Sequence, residues 1–123
     1  MRIALAVLML LHGVAHLPGF LVPWRLVEAG ALPTGTTLLA GRVDVGGAGI
    51  RAFGVLWLLA AAAFLLAAFG AWTDRTWWVQ ATAAVALASL LMSVLAWPAS
   101  RIGVAVNLVV LAWVAAIVRL GWT

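Results

Sequence analysis

The chain contains no cysteine and no lysine, and only three acidic residues among its 123. Without cysteine there is no disulfide, no thiolate metal site and no thiol nucleophile. Charged residues make up 8% of the sequence and hydrophobic residues 67%, where an ordinary soluble domain is about one quarter charged. So little polar side chain cannot clothe a globule of this size, and most of the exterior must face lipid. The seven basic residues are all arginines, placed singly between apolar runs. The net charge of +4 therefore describes membrane flanks rather than a basic stripe, and no nucleic-acid partner is expected.

Long apolar runs are what the sequence does have. A hydrocarbon core about 30 Å thick is crossed by roughly 20 helical residues. Four uncharged runs approach that length, at residues 3–22, 52–72, 77–97 and 102–118. Arg, Asp, Pro or Trp bounds each of them, and Trp24, Trp72, Trp77, Trp78, Trp97 and Trp122 lie where an indole favours the membrane interface. Arg2 and the apolar stretch after it also suit a secretory signal, but no small-x-small cleavage site precedes a polar mature chain, so the run is read as a span. The expected fold is all-α: an integral membrane four-helix bundle, residues 1–123 forming a single transmembrane domain.

Two connections, 73–76 and 98–101, are short enough to force antiparallel neighbours. The first, from Pro23 to Arg51, is long and rich in glycine. A long connection in a small protein usually carries function, and here it is expected to form a lid with a helical turn near 37–43, bearing Arg42 and Asp44. Four spans put both termini and the second connection on one face, side A, and the first and third connections on side B. Three arginines then lie on side A and four on side B, a balance that leaves orientation unspecified and admits an antiparallel homodimer.

Polar side chains inside hydrocarbon are costly and turn inward. His12 and His16 on the first span, and Ser89 and Ser93 on the third, are each spaced i,i+4 and so share a helix face. At the helical rise His16 lies about 9 Å and His12 about 15 Å from the side B end. Ser89, Ser93 and Asn107 fall in the same half of the membrane, with Trp57 two turns below Arg51 at the entrance of the second span. Gln80 and Thr82 sit near side A and do not join them. The expected site is a side B pocket lined by His12, His16, Ser89, Ser93, Asn107, Trp57 and Arg51 under the loop.

Imidazole titrates near neutrality, so His12 and His16 are the candidate acid/base or proton groups for a small hydrophobic or amphipathic ligand that is transported or transformed. A second reading makes the polar residues locks of helix packing in a structural or accessory subunit. A third is a copper-like site of His12, His16 and Met9, since thioether and imidazole suit Cu(I). Two imidazoles one turn apart on one helix cannot approach a haem iron from opposite sides, and a membrane-embedded acid, the usual coupling group of a transporter, is absent.

The order H-G-x-x-H-x-x-G-F at His12 to Phe20, R-x-x-G-x-L-W-L-L-A from Arg51, Trp77-Trp78, and G-x-x-x-N at Gly103 to Asn107 resembles a family of small bacterial four-span membrane proteins of undefined activity. The likeness covers nearly the whole chain except residues 27–49. It implies a four-helix fold, residence in the bacterial inner membrane, and a motif that includes His12, His16, Arg51 and Asn107. It implies no reaction.

Overall fold

The computed structural model describes residues 1–30, 32 and 34–122. The chain forms an all-α bundle: α1 (Arg2–Ala15) and α2 (Leu17–Leu21) make the first span, and α3 (Gly46–Trp72), α4 (Trp78–Leu95) and α5 (Arg101–Leu120) make the others. All four spans are long and apolar enough to cross a membrane, and the protein is a multi-pass membrane protein. Large side chains such as Leu11, Leu59, Leu91 and Ile102 remain exposed on the outer faces, as a lipid-facing surface requires. Helix α1 packs most extensively on α3, α3 on α4 and α4 on α5, and a narrower contact between α1 and α5 closes the circuit.

Small residues let these helices approach closely. A side chain at Gly13 would stand 3.0 Å from Phe64 Cβ and 3.2 Å from the Ala61 carbonyl, so this glycine sets the α1–α3 distance. Leu5, Met9, Phe64, Ala67, Val110 and Ile117 fill the main core towards side A. Phe53, Trp57, Ala60 and Met92 form a second cluster towards side B. Arg2 pairs with Asp74 at 2.6 Å, joining the start of α1 to the α3–α4 connection on side A. Both partners are partly exposed, so the pair contributes about 0–1 kcal/mol.

The first span breaks after Ala15, and Pro18 is the reason. Proline has no N–H for the carbonyl four residues back, and its ring crowds that carbonyl. The His16 N–H turns to the Gly13 carbonyl at 3.1 Å, and α2 starts at the next residue with Pro18 in its first turn. The His12 carbonyl, left without its usual backbone donor, accepts a hydrogen bond from His16 Nδ1 at 2.7 Å. The imidazole stands in for a missing backbone N–H, and this fixes its orientation.

The first connection departs from expectation. No helical turn forms over 37–43. Thr37–Leu38 and Val43–Asp44 pair as a short antiparallel hairpin. At its tip Leu39 and Ala40 have φ of 52° and 56°, and their N–H groups donate to the carbonyls of Leu95 (2.7 Å) and Trp97 (3.0 Å) at the end of α4. Those carbonyls lack intrahelical donors, and the hairpin supplies them. Helix α3 also begins earlier than the apolar run suggested, at Gly46, so Arg51 lies within its second turn rather than before it.

Asp44 is exposed and has no arginine partner; Oδ1 instead accepts from the Gly46 N–H (2.9 Å) and the Thr36 hydroxyl (2.8 Å). These two bonds, the Gly46 N–H the stronger, hold its carboxyl below the usual carboxylate range. A depressed pKa stabilises the folded hairpin at neutral pH, and that support is lost as pH falls through the lowered value. Hydrogen exchange at the Leu39 and Ala40 amides, corrected for intrinsic rates, should therefore accelerate on acidification, and Asp44→Asn should show the acid behaviour already at pH 7. Exchange that ignores both changes would separate Asp44 from the hairpin's closure.

Candidate functional site

His12, His16, Ser89 and Asn107 are all buried, and the four converge from α1, the α1–α2 corner, α4 and α5. Because the His12 carbonyl can only accept, the hydrogen of His16 is on Nδ1. In the neutral ring Nε2 is then an acceptor, and the Ser89 hydroxyl donates to it at 2.6 Å. Asn107 Nδ2 donates to Ser89 Oγ at 2.9 Å and to the Gly103 carbonyl at 2.9 Å. His12 Nε2–H donates to Asn107 Oδ1 at 3.3 Å.

The bonds run in one sense around a closed ring, from His12 to Asn107, to Ser89, to His16 and back to the His12 backbone. Each member is both donor and acceptor, so the ring closes on the protein's own groups. Aromatic side chains enclose them. Phe64 lies 4.9 Å from the His12 ring and 5.2 Å from His16, and Trp57 lies edge-on to His16 at 5.0 Å. Trp57 is seated in turn by Gly19, where a Cβ would fall 2.6 Å from the indole.

One acceptor in this arrangement is unused. His12 Nδ1 has no partner among the described residues and is not sealed into the wall. His12 lines a cleft of about 1220 Å³ that reaches from the histidines past Trp57 and Phe53 to the hairpin and to the start of α5. Ser93, which shares the face of Ser89 in sequence, does not join the ring. Its hydroxyl is fully buried at the cleft wall with no hydrogen-bond partner among the described residues.

The expected site residues thus separate. His12, His16, Ser89 and Asn107 are brought together; Trp57, Arg51 and Ser93 line the same cleft. Arg42 and Asp44 do not line it, and they form no ion pair. Thr82 bonds the Trp78 carbonyl of its own helix and Gln80 is exposed, both apart from the site. The copper-like set does not assemble: Met9 is wholly buried in the side A core and the His16 lone pair is taken by Ser89. Among the described residues no three His, Asp or Glu side chains gather around one point. Phe64, Gly19 and Gly103 also shape the site; the two glycines stood in the sequence only as motif positions and Phe64 not at all, because an apolar or glycine residue in a span looks like ordinary packing.

Comparison with family models, curated proteins and solved structures finds no match to this chain.

Proposed function

We propose that this is a membrane binding protein for a small amphipathic molecule, which occupies the side B cleft with a polar hydrogen on His12 Nδ1 and is carried or transformed there. The observation that supports this most is the single free acceptor of an otherwise closed ring, opening on a cleft large enough for a lipid-sized ligand. The two histidines divide the work. His12 can take a proton on Nδ1 while Nε2–H still holds Asn107, so it is the acid/base group. His16 cannot be protonated on Nε2 without displacing the Ser89 hydroxyl, and it is a positioning residue together with Ser89 and Asn107. The motif from His12 to Phe20 favours the bacterial inner membrane as the setting, with a homodimer as the working unit if the ligand crosses the bilayer.

A structural role for the polar residues has its own support, since the ring ties α1, α4 and α5. Mass spectrometry of protein released from native membrane separates the readings. The wild type is expected to retain an amphiphile, and His12→Phe to retain roughly tenfold less or lower still, as the loss of one hydrogen bond to a charged or strongly polar group implies. Equal retention by both, with the fold intact, would rule out His12 as the ligand's contact.

A further inference from the structure

The side B end of the cleft has a character that the ring does not explain. Arg25, Arg51 and Arg101 line it, and no Asp or Glu does. Among the described residues none of the three arginines is in an ion pair. Helix α5 begins at the same place, and its first turn is open: Ser100 gives no side-chain cap, no acidic residue follows, and among the described residues the N–H groups of Ile102 and Gly103 make no hydrogen bond. Such amides, at the positive end of a 20-residue helix, favour an anion.

A second, independent feature lies against that turn. Ser93 Oγ is 0% exposed and unpartnered, although a serine in an apolar helix ordinarily satisfies itself on its own backbone. It sits 2.8 Å from where a Cβ of Gly103 would be, so the absence of that side chain keeps the hydroxyl against the first turn of α5 and at the cleft wall.

We infer that the side B end of the cleft is a site for a phosphate-type anionic group, held by the Ile102 and Gly103 amides, Ser93 Oγ, Arg51 and Arg101. On the reading that the cleft takes an amphiphile, the ligand is an anionic one with a second polar group: its anionic head lies at these groups, its chain runs along Phe53 and Trp57, and its far polar hydrogen meets His12 Nδ1. A neutral amphiphile would leave the helix end and the buried Ser93 hydroxyl without a charged partner.

The test is binding to the full chain in zwitterionic lipid nanodiscs, with three probes: dodecyl phosphate, dodecanol and inorganic phosphate. Dodecyl phosphate should bind at least tenfold more tightly than dodecanol. Arg51→Gln, Arg101→Gln and Ser93→Ala should each weaken it several-fold while leaving dodecanol unchanged. Arg51 and Arg101 are exposed, so their variants keep the fold. Inorganic phosphate binding as tightly as the alkyl phosphate would support the anion site and assign it to free phosphate. Equal affinity for dodecyl phosphate and dodecanol, indifferent to the arginine variants, would overturn the anion site and leave the amphiphile cleft standing. Failure of all three probes would overturn both.

Discussion

Asn107→Leu is expected to be the most damaging polar substitution in the bundle, lowering stability by about 2–3 kcal/mol. The side chain makes three hydrogen bonds, to His12, Ser89 and the Gly103 carbonyl. Interhelical hydrogen bonds within bilayers are worth about 0.6 kcal/mol on average and up to about 1.7, and leaving the partners buried and unmatched adds to the loss. Unfolding by denaturing detergent would measure this. Because Asn107 also holds the His12 tautomer, the variant should lose bound amphiphile together with stability, whereas His12→Phe should lose the ligand at a cost of only about 1 kcal/mol. A loss below about 0.5 kcal/mol for Asn107→Leu would show that the ring does not tie the helices.

The second large effect is steric. Gly19→Ala places a methyl group 2.6 Å from Cγ of Trp57 and 2.7 Å from Cδ1, close to the rigid root of the side chain. The indole cannot rotate freely away, because Phe53 stands 5.6 Å from it on one side and His16 lies 5.0 Å away on another. Overpacking of this kind costs about 1–3 kcal/mol. The double variant Gly19→Ala, Trp57→Leu should recover much of that loss. If the single variant proves as stable as the parent, α2 does not rest on Trp57.

The four spans were legible because the bilayer imposes one crude requirement, a long uncharged run, and each run meets it. The depth count and the i,i+4 spacing of His12 with His16 carried enough geometry to bring them near Ser89 and Asn107. The same spacing put Ser93 at the cleft, as expected, but not in the ring: a shared helix face fixes direction, not whether a polar partner stands opposite, and opposite Ser93 stands Gly103. Arg51 was taken as a helix boundary because it is charged, yet a guanidinium near a membrane surface can lie on a helix and still reach water. The hairpin left little trace. Its strands are two residues each, and its tip carries Leu39 and Ala40 at positive φ, where turn chemistry favours Gly or Asn. Tertiary bonds to the end of α4 hold it, and those cannot be read from a local pattern.

The conformation of that tip has an energetic consequence for access. A left-handed backbone at each of two residues with side chains costs about 1–2 kcal/mol, and each of the two amide bonds to Leu95 and Trp97 returns about 0.5–1.5 kcal/mol net where water is at hand. The opposing quantities nearly cancel. The clasp between the hairpin and the third span is therefore poised close to neutrality, so the hairpin wall of the cleft can part from the helix end at little cost.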